Sequence, residues 1–285
     1  MIHFTIRHMI RHWRLILALL AGLTLVTGLL AGLPSYAESI AAQTLAAELE
    51  AETPAGRNAE IRGSPEVLTG ALLAQIDQAL GDLLAMRIEK HSYQLEAGAD
   101  PVAAVDGGLR LQVHLINVWS FDRLRELTLL VEGDYPSYEP PHTQEEIQQA
   151  MFQIPVLEAS ISTDVAEQTG MRIGDVVYGE DYRFRIVGLV DPVDPESDAW
   201  WGDLTPFQLV ITPGTNEDTF TLPVIINLQG MQQLLPVHNI TWLLLLNSQN
   251  IQAADVEGLE QSLINLKTRV SSAGAQLITN LPNLL

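Results

Sequence analysis

The chain has 285 residues, 47% of them hydrophobic, no cysteine and a net charge of −20. That length and apolar content suit one large or two small folded domains and exclude wholesale disorder. The missing cysteines exclude disulfides and thiolate metal sites, and so acidic a surface repels phosphate backbones, which argues against nucleic acid as a partner.

The charge is unevenly placed. Arg7, Arg11 and Arg14 stand in the first fourteen residues, no Asp or Glu precedes Glu38, and all 35 acids therefore belong to the remainder. Residues 1–14 read as a basic cytoplasmic stub. From Leu15 to Leu33, "LILALLAGLTLVTGLLAGL", nineteen positions carry no charge, which at about 1.5 Å per residue is enough to cross roughly 30 Å of hydrocarbon. With arginines before this run and acids after it, the positive-inside rule places the N-terminus in the cytoplasm and the bulk outside the cell membrane. Ser35-Tyr36-Ala37 is also an acceptable signal-peptidase site, but the apolar run is longer than the core of a signal peptide, which favours an uncleaved anchor. The stretch "AESIAAQTLAAELEAE" after Pro34 is rich in helix formers, so residues 34–63 read as a helical stalk and linker.

Ser64-Pro65-Glu66 is a helix start, and Leu68, Leu72, Leu73, Ile76, Leu80, Leu83 and Leu84 follow at helical spacing. Strands are expected over Met86–Leu95, Leu109–Val118 and Leu127–Glu132, separated by turn-prone "EAGADP", "DGG" and "EGDYPSYEPP". A short polar helix is expected over Thr143–Met151, then an extended segment over Val156–Ser160. In "ISTDVAEQTGMRIGD", Ser162 or Thr163 caps a helix, Asp164 suits its first turn and Gly170 fits the left-handed position that ends it. Gly174-Asp175 then makes a turn before strands at Val176–Tyr178 and Tyr182–Val190, where Tyr182, Phe184 and Ile186 alternate with Arg183 and Arg185. Residues 219–226 are extended, and Asn227 caps a short helix to Leu235. "TWLLLLN" is an apolar strand suited to the interior of a sheet. Asp255 opens a last helix whose Val256, Leu259, Leu263, Leu266 and Val270 form a narrow apolar seam, with the 68–84 helix or the stalk as the expected partner.

No phosphate-binding G-x-x-x-x-G-K-[ST] loop, H-E-x-x-H helix or G-x-S-x-G elbow occurs, so the chain is expected to be no enzyme and to need no cofactor. The seven histidines fall in scattered segments. One loop, "DPVDPESDAWWGD", gathers Asp191, Asp194, Glu196, Asp198 and Asp203 around Trp200 and Trp201. Asp191, Asp194, Glu196 and Asp198 are a weak Ca²⁺ candidate, since they lack the regular alternation of an EF-hand loop. Trp200 and Trp201 are partner-contact candidates, although the loop-anchor reading is the favoured one. Ser162, Gly170, Gly174 and Asp175 are fully explained by backbone geometry.

The basic stub, the Leu15–Leu33 span, "GLPSYAESIAAQTLAAEL" and above all "ASISTDVAEQTGMRIGDVVYGEDYRFRIVGLVDPVDPESDAWW" together make the chain resemble the first part of an FtsX-like ABC transporter permease. The resemblance is to the MacB-type periplasmic core domain. Its motif is a serine, two variable residues and Leu/Val-Ala-Glu, then a Gly-x-x-x-Gly-Asp turn and a strand ending near "IVGI", matched here by Ser162 through Leu189. The resemblance implies an α+β fold: a transmembrane helix and stalk, then an extracytoplasmic α/β porter-like layer from residues 64–155 and 236–285, with a β-rich subdomain, 156–235, inserted between. It implies a cytoplasmic ABC ATPase as partner, a second permease copy, and an envelope protein or exported substrate outside. No second apolar run follows the first, so the chain is expected to be the front of a longer permease or a single-span relative. The alternative is a secreted or periplasmic binding module released by cleavage after Ala37.

Overall fold

The computed structural model describes residues 13–51, 58–63, 76, 78, 80–82, 88–107, 109–140, 154–215, 217–246, 256–272 and 274–279. The helix expected over 143–151 lies outside these residues, as does most of the one opening at Ser64. Ile76, Gln78 and Leu80 to Asp82 of the latter are helical.

The first helix, α1 (Trp13–Ala51), is unbroken through Pro34. Its stretch Leu17–Glu48 is long and apolar enough to cross a membrane. Leucines 17 to 33 of that stretch stand exposed, whereas Leu45, only 8% exposed, is buried in the core of the body. Ala42 and Ala46 are half-buried beside it. Apolar span and folded body are thus joined by one helix, whose far end is held by core packing.

The body is mixed α+β. Strands β1 (Ala59–Gly63), β2 (Ile88–Pro101), β3 (Ala104–Asp106), β4 (Leu115–Phe121), β5 (Thr128–Gly133), β6 (Val156–Ile161), β7 (Val176–Tyr178), β8 (Arg183–Pro192), β9 (Val210–Thr212), β10 (Thr219–Ile226), β11 (Val237–Leu246) and β12 (Ala275–Thr279) form one sheet. Its order is β12-β1-β11-β2-β4-β10-β6-β8-β7-β3, with β5 added to β8 and β9 to β10. The pairs β4/β10 and β6/β8 are parallel; the rest are antiparallel. The helices are α2 (Leu124–Leu127), α3 (Thr163–Thr169), α4 (Leu228–Leu234) and α5 (Val256–Ser272). Asn227 caps α4 through its side chain, as its position before the helix predicts.

One face of the sheet carries Ile61, Leu95, Ile116, Val118, Leu222, Val224 and Trp242 into the main core. The expected seam of α5 covers it: Leu259, Leu263, Leu266 and Val270 are all buried there with Ile76 and Leu80. Arg269 of α5 reaches Asp82 at 3.9 Å, so the 76–82 segment is the neighbour the seam predicts. The apolar "WLLLL" run lies in β11, paired on both edges by β1 and β2, as a strand buried on both faces should be.

Two expectations are corrected. "EAGADP" is not a turn: it lies within β2, whose register shift between Ala97 and Asp100 absorbs the irregular residues and leaves Pro101 at the strand end. The strand expected over Leu109–Val118 begins only at Leu115. Residues 109–114 instead run from the end of α3, where the Arg110 N–H donates to Thr169 O at 2.8 Å, to β10, where the His114 N–H donates to Phe220 O at 2.9 Å. Alternation of Leu109, Leu111 and Val113 reflects packing onto the core without a ladder. Pairing also crosses the boundaries drawn from the sequence, since β5 joins β8, β3 joins β7 and β4 lies parallel to β10. Between β10 and β6 only Ile225↔Ser160 and Ile226↔Ala159 are paired, a narrow joint in a long sheet.

Candidate functional site

The site is built around α3. Ser162 takes an extended conformation (φ −75°, ψ 159°), and its Oγ accepts the Val165 N–H at 3.1 Å. Gly170 closes the helix at φ 79°, its N–H donating to Ala166 O at 2.8 Å. Both ends are as expected. The partners across the chain are new. Ser162 Oγ also donates to Phe207 O at 2.6 Å, and both Asp191 carboxylate oxygens are taken by Thr163, from N–H at 2.9 Å and from Oγ1 at 2.5 Å. Asp191 therefore caps α3 at its positive end. The helix and the acidic loop form one unit.

That loop, residues 192–209, is held down by Trp200, which is 4% exposed. Its ring meets Phe207 edge-on at 4.9 Å and Phe121 at 5.7 Å, and its Nε1–H donates to Asp194 O at 3.0 Å. Trp201 differs. It has φ 55°, with Gly202 following at φ 74°, and its side chain is half-exposed. Of the two contact candidates, the structure makes Trp200 the anchor and leaves Trp201 at the surface.

The carboxylates of the loop are dispersed. Asp191 faces Thr163, Asp194 Oδ1 accepts the Glu196 N–H at 3.1 Å, and Asp198 Oδ2 lies 3.5 Å from Asn58 Nδ2 at the start of β1. Among the described residues no three His, Asp or Glu side chains gather as a metal-holding group. His114 is used in the frame: its Nδ1 accepts the Phe220 N–H at 3.2 Å, and its ring stacks on that phenyl.

Gly174 and Asp175 serve the turn that leads into β7. Asp175 Oδ2 accepts the Arg172 N–H at 2.8 Å, and the Ile186 N–H and C=O bond to Asp175 O and the Gly174 N–H. Tyr178 at the end of β7 donates to Asp106 Oδ2 on β3. This hydrogen bond, with smaller contributions from burial and the Asp106 charge, raises the phenol above its ordinary pKa. Tyr182 is also raised, chiefly by burial and then by Asp181 and Asp100.

Between α3 and β5 lies a groove of about 630 Å³. Thr163, Ala166 and Glu167 form one wall, and Val131 and Glu132 the other. Leu189 lines it between them; Arg110, Met171 and Arg172 lie toward the end of α3. Arg110 escaped sequence reasoning because its segment reads as a strand. The signal was at Gly170: a Cβ there would fall 2.9 Å from Arg110 Cγ, so the glycine both ends the helix and makes room for the arginine stem.

No family model matches the chain, and no curated protein matches it. Among solved structures it is similar to the extracellular domain of the noncanonic ABC-type transporter YknZ from Gram-positive bacteria, at 10% identity and a TM-score of 0.33, over 77% of this chain and 98% of that one.

Proposed function

We propose that the chain is the membrane anchor and extracytoplasmic domain of an ABC transporter permease of the FtsX/MacB type, without catalysis of its own. It couples a separate cytoplasmic ATPase to export or to events in the envelope. The observation that supports this best is α1, a single helix with an exposed apolar length at one end and Leu45 in the body core at the other. A displacement of the span passes into the body without a flexible joint at Pro34. The Ser162–Leu189 motif adds the family resemblance.

The absence of native cysteine makes the test direct. Single cysteines replace Thr5 and Ser271, and intact cells are treated with a membrane-impermeant maleimide. The proposal expects Ser271→Cys to label from outside and Thr5→Cys only after lysis, in uncleaved membrane-bound protein that co-purifies with a phosphate-loop ATPase. Mature soluble protein beginning at Glu38 would establish the released binding module instead, and would require cleavage within what is here one helix.

A further inference from the structure

Helix α1 sets the height of the body above the membrane. Its stretch Leu17–Glu48 has 32 residues, about 48 Å of helix against roughly 30 Å of hydrocarbon. Only part of it can lie in lipid, and the charges decide which part. Arg14 and Glu38 flank an uncharged run of 23 residues, about 35 Å long. Sliding the helix further either way would draw a charge into hydrocarbon, which is costly, so its axial freedom is only about 5 Å. Trp13 and Tyr36 are 53% and 67% exposed. They stand about 35 Å apart along the helix, a separation that seats one ring at each interface, where Trp and Tyr are favoured.

The body begins just above. Ser39, Ile40 and Ala41 are exposed, Ala42 is the first described side chain of α1 to be partly covered, and Leu45 lies in the core. Ala42 is six residues past Tyr36, a rise of about 9 Å. The headgroup layer is itself about 5 to 8 Å deep. A clearance of about 1 to 4 Å remains, and any tilt of the helix reduces it. Because α1 is continuous through Pro34, no loop lets the body rise.

We propose that the folded body rests on the outer headgroup layer and that the lipids it accepts there are zwitterionic. All 35 acids lie from Glu38 onward, with 12 of the 15 bases, since Arg7, Arg11 and Arg14 precede it. The clearance is shorter than the roughly 8 Å over which physiological salt screens, so anionic headgroups repel this body almost unshielded. Zwitterionic headgroups carry no net charge and let it seat. On the cytoplasmic side Arg7, Arg11 and Arg14 attract anionic lipid, so the two leaflets are read with opposite preference. The inference rests on the reading of α1 as an uncleaved anchor.

The test uses the full chain in phosphatidylcholine nanodiscs doped with a phosphatidylethanolamine whose headgroup carries a photoreactive diazirine. Cross-linked peptides are identified by mass spectrometry, and adducts are expected on α1 and on peptides from Asn58 onward. A helix-forming heptad of Ala, Glu and Lys inserted after Glu38 raises the body by about 10 Å and turns it by only about 20°. It is expected to remove the body adducts and keep those on α1, at an unchanged unfolding midpoint. Replacing about half of the phosphatidylcholine with phosphatidylglycerol is expected to lower the body adducts of the unaltered chain about five-fold. In protein held by the nanodisc, adducts confined to α1, body adducts that survive the heptad, or adducts indifferent to lipid charge overturn the proposal. A chain that does not stay in the nanodisc would sink the anchor reading itself, and this proposal with it.

Discussion

The Ser162 hydroxyl donates to the carbonyl of Phe207 at 2.6 Å, across 45 residues of sequence, while accepting the Val165 N–H of its own helix. One side chain thus caps α3 and fastens the acidic loop to it. Ser162→Ala removes the cap and leaves the buried Phe207 carbonyl without its donor. Losing the cap costs about 1 kcal/mol and the orphaned carbonyl about 1 to 3. A fall of roughly 2 to 4 kcal/mol in urea-unfolding stability is expected, with Ser162→Thr retaining most of the wild-type value.

The two tryptophans separate cleanly. Trp200→Ala empties a position buried against Phe121 and Phe207 and is expected to cost about 3 to 5 kcal/mol. Trp201 adopts a left-handed backbone at φ 55°, which a glycine reaches without strain, so Trp201→Gly is expected to leave stability unchanged or raise it by up to about 1 kcal/mol. Thermal melts of the two variants check the contrast. A large loss from Trp201→Gly would show that its ring packs as well.

Much of the local structure was legible because it is decided by neighbours in the chain. The Ser162 cap, the Gly170 terminus, the Asn227 cap, the alternation at Phe184 and Ile186 and the α5 seam all depend on residues within a few positions of one another. What was not legible depends on distant partners. Nothing near Asp191 shows that Thr163 occupies both its oxygens, and a carboxylate so used looks in sequence like a metal ligand. The strand expected at Leu109 failed likewise: its alternation is real, but Arg110 bonds to the end of α3 and the ladder forms later.

Gly170→Ala meets two obstacles at once, a φ of 79° and Arg110 Cγ at 2.9 Å from the new methyl. The left-handed strain costs about 1 kcal/mol, and displacing the arginine stem adds to it. Removing the stem isolates the second part. In a double-mutant cycle Arg110→Ala is expected to relieve the steric share and leave the backbone share, giving a favourable coupling of about 0.5 to 1 kcal/mol. Additivity within error would show that Arg110 yields freely and that Gly170 serves the helix end alone.

The Tyr178–Asp106 bond ties β7 to β3 at the edge of the sheet. Because the bond, then burial and then the Asp106 charge raise the phenol above its ordinary value of 10.0, the folded state holds the proton more tightly than the unfolded chain. Its contribution to stability is complete below pH 10 and is lost as pH rises through the elevated folded value. Ultraviolet titration of tyrosinate is therefore expected to show late-titrating phenols, of which the Tyr178 share disappears in Tyr178→Phe and the Tyr182 share remains. The alkaline decline in melting temperature should be shallower in that variant than in wild type, and Asp106→Asn, which keeps an acceptor but removes the charge, should move the titration back toward 10.0. A wild-type titration unchanged by either substitution would mean that Tyr182, raised chiefly by its own burial, is the late group and that the β3–β7 edge does not depend on the bond.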